Sequence, residues 1–207
     1  MGKIDENKQL KLGALLKSAY DLFLNQGIAK TSVHDITKNA GVAKGTFYLY
    51  FKDKYALRDH LIASTAQSLF QEAHQASLDQ DLPTFEDHVI FVVDYIINQM
   101  IKNKPLLRFV SKNLSWGIFS HALFPGHEND EQAIHDTLLN FIPEKNLKQL
   151  KNPEIVLFMI LELASSSCYS SILENNPVCI EELKPHLYNS IRAILKCYTV
   201  PLEATAA

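Results

Sequence analysis

The sequence predicts an all-α fold with a small N-terminal unit of three short helices and a larger C-terminal helical bundle. Three observations support this prediction. The chain has only seven glycines and eight prolines in 207 residues, and every proline lies beyond residue 82, so turn formers are scarce. Apolar residues recur at helical spacing along most of the chain. Runs that alternate between apolar and polar residues, typical of strands, are few.

The first helix is predicted to end at Gly27, because apolar residues at helical spacing over 12–23 stop before it and glycine readily adopts the left-handed conformation that ends a helix. Ser32 is a good N-cap residue, and Asp35 can complete a capping box with it. A second helix of about two turns therefore begins there and ends at Gly41.

The later helices follow the apolar periodicity and the prolines. A third short helix is predicted over 43–50, and a fourth opens at residues 52–54 and runs to about residue 77. Prolines are tolerated in the first turn of a helix but disfavoured in its interior, so most of them mark the boundaries between the remaining segments. These segments are a helix after Pro83 that ends at Lys102, and helices over 105–121, 129–141, 153–175 and 179–198.

Charge is distributed unevenly along the chain. The formal net charge is −3, but residues 1–60 hold ten Lys and Arg against six Asp and Glu, whereas residues 61–207 hold ten against seventeen. A basic N-terminal part is therefore joined to an acidic body. The basic part has the sign of charge that attracts a polyanion.

The cysteines and the N-terminus favour a cytoplasmic protein. Cys168, Cys179 and Cys197 are odd in number and lack a CxxC spacing, so neither a disulfide framework nor a zinc ribbon is expected. The N-terminus carries charges where a secretory signal needs an apolar run. Because no stretch has eighteen uncharged apolar residues, no membrane association is expected.

No cofactor, metal ion or catalytic activity is expected. His121, His127, Glu128 and His135 are close in sequence, but their spacing through a Pro-Gly loop matches no zinc-ligand signature. The chain also lacks the GxSxG, HExxH, GxxxxGKS/T and GxGxxG motifs. An all-α enzyme is therefore the weaker interpretation.

Two C-terminal segments predict a homodimer. Residues 155–163 are apolar around almost the whole helix, which a helix on the surface of a monomer does not tolerate. Residues 180–198 carry an apolar stripe suited to packing against a neighbouring helix: Ile180, Leu183, Leu187, Ile191, Ile194 and Tyr198. One side of this helix pair can face its own core and the other a second subunit. The alternative is that both are core helices of a monomer.

Residues 31–57 have the pattern of a helix-turn-helix. Two short helices meet at Gly41, which supplies the backbone freedom for the turn, and Ile36 and Phe47 pack the helices together. Phe47 and Phe51 are expected in the core. Polar and aromatic side chains near the start of the third helix face outward, as in motifs whose second helix enters the major groove of DNA.

This stretch resembles the TetR family of bacterial transcriptional regulators over about residues 10–60. The matching residues are Ala19, Phe23, Gly27, Thr31, Val33, Ile36, Ala40, Gly41, Val42, Gly45, Thr46, Tyr48, Tyr50, Phe51, Lys54 and Leu57. The resemblance implies a helix-turn-helix DNA-binding domain over 1–52 and a ligand-binding and dimerisation domain over 53–207. No motif beyond residue 60 identifies an effector.

The resemblance also implies which residues contact DNA. Lys44 and Thr46 are the expected base readers, Gly45 allows close approach of the backbone, and His34 is an additional reader. The expected contacts to the sugar-phosphate backbone come from Thr31, Ser32, Tyr48, Tyr50 and Lys54. For Lys52, a solvated role is as good an interpretation as a phosphate contact.

The expected function is that of a homodimeric repressor, released from a near-palindromic operator by a small hydrophobic or amphipathic effector. The alternative is a DNA-binding dimer whose C-terminal part docks a protein partner and takes no small effector. The residues expected around a ligand are Tyr95, Met100, Phe109, Trp116, Phe119, Phe158, Met159, Glu162 and Tyr169. For each of them, an ordinary place in the core is the other interpretation.

Overall fold

A computed structural model of the chain describes residues 3–111, 113–123 and 150–199. Within these ranges the protein forms nine helices and no β-strand, with one isolated bridge between Leu150 and Thr199. The all-α prediction is confirmed, while the helix predicted over 129–141 lies outside the described residues. The helices are α1 (Lys3–Gln26), α2 (Val33–Asn39), α3 (Lys44–Tyr48), α4 (Lys54–Leu78), α5 (Phe85–Lys102), α6 (Lys104–Ser111), α7 (Trp116–Leu123), α8 (Pro153–Glu174) and α9 (Ile180–Tyr198).

The N-terminal unit has the predicted turns. Gly27, directly after α1, has a φ of 82°, and Gly41, after α2, has a φ of 67°, so both occupy the left-handed region that favours glycine. The Ser32 hydroxyl accepts the amide N–H of Asp35 at 3.1 Å, and the Asp35 carboxylate accepts the amide N–H of Ser32 at 2.9 Å. This is the predicted capping box. The α3 helix, with five residues, is shorter than predicted.

The segment predicted as one helix over 105–121 forms α6 and α7, so that prediction is wrong at its centre. Asn113 Nδ2 donates a 2.7 Å hydrogen bond to the carbonyl oxygen of Phe109 at the end of α6. The Ser115 hydroxyl accepts the amide N–H of Ile118 in the first turn of α7. Such side-chain bonds to the main chain favour one helix end and a new helix start over a continuous helix.

The N-terminal unit and the bundle share a hydrophobic core. α1 packs against α2, α4 and α6, and α4 continues beyond the N-terminal unit to pack against α5 and α7. The ring of Phe109 on α6 stacks on Phe23 with 6.0 Å between centroids, and it meets Tyr20 edge-on at 6.1 Å. Aromatic contacts therefore connect the first helices with the bundle, in addition to α4 itself.

α8 has apolar residues on three sides, and each side has a different environment. One side packs against α9, a second lines a cavity in the bundle, and a third carries Ile155 and Phe158, which are 50% and 39% exposed. By length and composition alone, α8 is also apolar enough to cross a membrane. One such helix is weak evidence for a membrane span, because the core helix of a soluble protein meets the same criteria.

The apolar stripe of α9 faces the protein's own core. Ile180, Leu187 and Ile191 are 8%, 3% and 0% exposed, and the rest of the stripe packs against the same core cluster. This side of α9 meets α8 and α5. The stripe is therefore the side of the helix pair that faces the protein's own core, as expected for one side of the pair.

Candidate nucleic-acid interface and bundle cavity

The outward side of α3 carries four residues predicted to contact DNA. Lys44 and Gly45 are exposed, Thr46 is half-buried, and Tyr48 is 52% exposed. Phe47, in contrast, is fully buried, as predicted. Because this large aromatic side chain anchors α3 in the core, the neighbouring polar side chains are presented together to solvent, as a recognition helix requires.

Hydrogen bonds fix α2 to α1. The buried Ser18 hydroxyl donates a 2.8 Å hydrogen bond to the carbonyl oxygen of Ile36, in the middle of α2. At the end of α2, Asn39 Nδ2 donates to the Ser18 hydroxyl oxygen at 3.1 Å. The Ile36 side chain is fully buried. Polar and apolar contacts thus both hold the helix on which α3 rests.

The predicted contact residues ahead of and within α2 divide into exposed and buried side chains. Ser32 and His34 are exposed, and hydrogen bonds from Ser32 lower the pKa of the Asp35 carboxyl group below its ordinary value. Thr31, however, is only 1% exposed, and its hydroxyl donates to the carbonyl oxygen of Gly27 at 2.8 Å. The Thr31 hydroxyl therefore supports the turn from inside the protein, and the contact of this residue with DNA stays a prediction.

Two further predicted phosphate contacts are hydrogen-bonded inside the protein. Lys54 Nζ donates to the carbonyl oxygens of Ile28 and Thr31, both at 2.8 Å. The Tyr50 hydroxyl donates to the carbonyl oxygen of Lys8 at 3.0 Å. Lys54 therefore joins the start of α4 to the loop ahead of α2, and its contact with DNA, like that of Tyr50, stays a prediction.

Leu49 was not among the residues predicted to contact DNA. This side chain directly follows α3 and is 80% exposed. An apolar side chain on a DNA-facing surface can contact the methyl group of thymine. The sequence did offer one indication of such a contact, because Leu49 lies between Tyr48 and Tyr50, both of which are predicted to contact DNA.

A cavity of about 160 Å³ lies in the bundle between α4, α5, α6, α7 and α8. Most of its lining is Val, Ile and Leu, and the described lining residues include no Lys, Arg, Asp or Glu. The polar lining residues are His74, His88, Ser111, Ser165 and Cys168. Burial raises the pKa of the Cys168 thiol to about 11, so this group stays protonated at neutral pH.

Met100 and Phe119 are the two predicted ligand residues that line this cavity. The other seven are not among the lining residues: Tyr95, Phe109, Trp116, Phe158, Met159, Glu162 and Tyr169. Phe109 packs on α1 instead, and Trp116 packs against Phe119 and Phe158, each with 5.6 Å between ring centroids. Four of the seven, Phe158, Met159, Glu162 and Tyr169, are on α8, but they do not lie on the side of α8 that lines the cavity.

A polar cluster joins α5 to α9. The Asp94 carboxylate accepts the Tyr188 hydroxyl and lies 3.0 Å from Lys184 Nζ, which also donates to Asn98 Oδ1 at 2.7 Å. Burial acts to raise the pKa of Asp94, but hydrogen bonds from Tyr188 and Lys184 outweigh it and leave that pKa below its ordinary value. Burial and the Asp94 carboxylate raise the pKa of Tyr188 far above its ordinary value. At neutral pH the cluster is thus a carboxylate bonded to a protonated phenol.

The structure offers no metal centre in the parts of the chain that it describes, where no group of three or more His, Cys, Asp or Glu could hold an ion. His127, Glu128 and His135 lie outside these parts, and the side chain of His121 is also outside them. All three cysteines are free thiols, with Cys179 and Cys197 exposed.

Sequence comparisons match the helix-turn-helix segment to a known family. A family model described as bacterial regulatory proteins, tetR family, matches residues 15–61. YvdT of Bacillus subtilis, described as an uncharacterized HTH-type transcriptional regulator, is 36% identical over 84 residues, which are 39% of this chain and 42% of YvdT. This alignment therefore spans less than half of that relative. HTH-type transcriptional regulators of Staphylococcus aureus are 23% identical over 176 residues, 83% of this chain and 86% of theirs.

Solved structures share the whole fold at low identity. A TetR-family transcriptional regulator from Streptomyces coelicolor has a TM-score of 0.62 and 16% identity, covering 91% of this chain and 99% of its own. The fatty acid degradation regulator FadR from Bacillus halodurans has a TM-score of 0.60 and 16% identity, covering 87% of this chain and 97% of its own. At these identities the likeness concerns the fold.

Proposed function

Because the chain belongs to the TetR family of bacterial transcriptional regulators, we propose that it acts as a cytoplasmic homodimeric repressor, which a small hydrophobic or amphipathic molecule releases from a near-palindromic operator. DNA binding through a helix-turn-helix comes with membership of this family. The contacts described next support three parts of the proposal: the reading of DNA by α3, the dimer and the effector.

The exposed side of α3 is the observation that carries the proposal. Lys44 and Thr46 project from a helix anchored by the fully buried Phe47. A lysine ammonium group can bond guanine O6 and N7, and a threonine hydroxyl can bond either a base edge or a phosphate. We propose that residues 1–52 form the DNA-binding domain and that these two side chains read bases, with Tyr48 on the phosphate backbone.

The exposed side of α8 is the proposed dimer surface. Ile155, Phe158, Glu162 and Ser166 follow one another at spacings of three or four residues and are exposed or half-buried. Such spacing places them along one side of a helix, where a second copy can pack in a two-fold arrangement. A dimer places two copies of α3 in successive major grooves when their centres are roughly 34 to 36 Å apart.

α4 connects the cavity with the DNA-binding unit. Its residues Phe70 and His74 line the cavity, while Lys54 at its start bonds the loop ahead of α2. An effector in residues 53–207 that moves α4 therefore changes the position of α3. Allosteric coupling of this kind is typically about 1 to 3 kcal/mol, enough to lower DNA affinity five- to 150-fold.

The test is selection of duplexes from a random DNA pool by the purified protein at low salt. We expect enrichment of a sequence with two inverted half-sites and a protein dimer in the complex. Equal binding of the selected and the random duplexes would contradict the proposal. Persistent failure of small apolar compounds to weaken binding, together with recovery of a protein partner, would favour a bundle that docks proteins.

A further inference from the structure

We propose that the bundle cavity binds an unbranched hydrocarbon chain ending in a carboxylate, with its head group held between His74 and His88. This inference rests on the proposed effector function and adds the chemical class of the effector. It uses three properties of the cavity: its length along α5 relative to its volume, its apolar lining and the placement of the two histidines.

The cavity extends along most of α5. Its lining residues on α5 extend from His88 to Met100, a separation of twelve residues or about 18 Å along a helix. A volume of about 160 Å³ spread over that length leaves room for one slender chain. An engineered cavity of similar total volume holds a compact molecule such as benzene. The elongated shape found here favours a single alkyl chain over a ring system.

The lining between the ends favours hydrocarbon. Val92, Val93 and Ile96 on α5 and Leu161 and Ala164 on α8 are all cavity residues. A charged group among these described side chains would find no partner of opposite charge in them and would cost several kcal/mol. Each methylene of a ligand that enters this lining gains about 0.8 kcal/mol from burial. The chain of the ligand therefore belongs here and its charge does not.

The two histidines supply a head-group site. His74 near the end of α4 and His88 in α5 both line the cavity, with 5.9 Å between their ring centroids. Each imidazole offers at least one N–H donor, and two donors match the two oxygens of a carboxylate. An alcohol presents only one oxygen and no charge.

The experiment measures binding directly, with the full-length protein free of DNA. Trp116 is the single tryptophan, and it contacts the cavity residue Phe119, so its fluorescence and calorimetry both report occupancy. The probes are straight-chain acids from octanoic to hexadecanoic acid, together with dodecanol. We expect affinity to rise about fourfold per methylene until the chain fills the cavity. Dodecanoic acid should bind about tenfold more tightly than dodecanol.

Variants distinguish binding of the carboxylate head group from binding of the alkyl chain. His74→Leu and His88→Leu keep side-chain bulk, so each should weaken dodecanoic acid about tenfold while leaving dodecanol unchanged. Ala164→Phe fills the cavity and should abolish binding of both probes. DNA affinity without ligand shows that each variant is folded. The inference is overturned by equal binding of acid and alcohol, by equal losses of both in the histidine variants, by retained binding in Ala164→Phe, or by no binding of any chain.

Release from DNA is read separately from binding. Dodecanoic acid that binds with the expected histidine dependence but leaves the protein on its operator supports the cavity inference and contradicts the effector step of the proposed function. Release of DNA by a compound without an alkyl chain, with no binding of the acids, supports the effector step and overturns the inference.

Discussion

The ammonium group of Lys54 donates a 2.8 Å hydrogen bond to the carbonyl oxygen of Thr31. The first residue of α4 is thus bonded to the residue that precedes the N-cap of α2. A bond to Ile28 from the same ammonium group strengthens this link. Lys54 therefore holds the helix that lines the cavity against the loop that leads into the DNA-binding helices.

Replacing Lys54 with Met should lower stability as well as DNA affinity. The variant keeps the apolar stem but leaves carbonyl oxygens of the 28–31 loop without their donor, at a cost of about 1 to 3 kcal/mol in free energy of unfolding. Lys52→Met, at an exposed position two residues earlier, is the matched control and should change stability by less than about 0.5 kcal/mol. Urea unfolding of both variants checks this. Equal stabilities would show that the Lys54 bonds contribute nothing.

Substitutions on α3 should change which DNA sequence is bound. Lys44→Ala and Thr46→Ala each remove a proposed base contact, so discrimination at one operator position should fall by about 1 to 3 kcal/mol. Lys196→Ala, on the far helix α9, is the control for loss of one positive charge. Repeating the duplex selection with each variant is the measurement. Uniform weakening of all sequences by Lys44→Ala and Thr46→Ala would place both side chains on the phosphate backbone instead.

A charge on the exposed side of α8 should separate the subunits. Ile155→Asp puts a carboxylate in the first turn of α8, where it suits the helix dipole but opposes apolar packing with a second copy. We expect the mass of a single chain in sedimentation. The control is Leu78→Asp at a 60% exposed position on α4, which should remain dimeric. Leu187 is unsuitable for this test, because it is 3% exposed and a charge there would unfold the chain.

Stability should depend on the ionisation of Asp94. Its pKa lies below the ordinary value, so its carboxylate stabilises the folded state at pH values above about 3.9, the pKa of an unfolded Asp. This contribution is lost as pH falls through the lower folded pKa. Because the side chain is 38% exposed, we expect about 1 kcal/mol or less.

The comparison for Asp94 uses the Asp94→Asn variant. Its free energy of unfolding should decline less than that of the natural chain between pH 7 and about pH 2, because the variant cannot take up this proton. Urea titrations at a series of pH values provide the measurement. Parallel pH profiles for the two proteins would show that Asp94 makes no such contribution.

Helix ends could be predicted where one residue type determines the local backbone. Gly27 and Gly41 take left-handed conformations, and Ser32 caps α2 with Asp35, all as the sequence indicates. The break after α6 depends instead on where the side chain of Asn113 points. Asparagine also occurs inside helices, so the residue type did not indicate this break and the sequence alone predicted a continuous helix.

The exposed side of α3 could be predicted more fully than the cavity. Alternation between the buried Phe47 and its polar neighbours is visible in the sequence, whereas α8 is apolar on three sides that meet three different surroundings. The apolar periodicity of the sequence cannot show which side of α8 meets which environment. Large aromatic residues such as Phe109 and Trp116 suggested a pocket by size, but the cavity is lined mainly by Val, Ile and Leu, and Phe109 belongs to the contact with α1.

The stacking of Phe109 on Phe23 limits how this chain can be recombined with its relatives. A chimera that transplants residues 1–52 onto a foreign bundle removes the ring against which Phe23 packs. The recipient must then provide an aromatic side chain of matching size on its own sixth helix. Residues 1–52 therefore cannot be exchanged independently of the bundle, because the packing of the two parts depends on this aromatic pair.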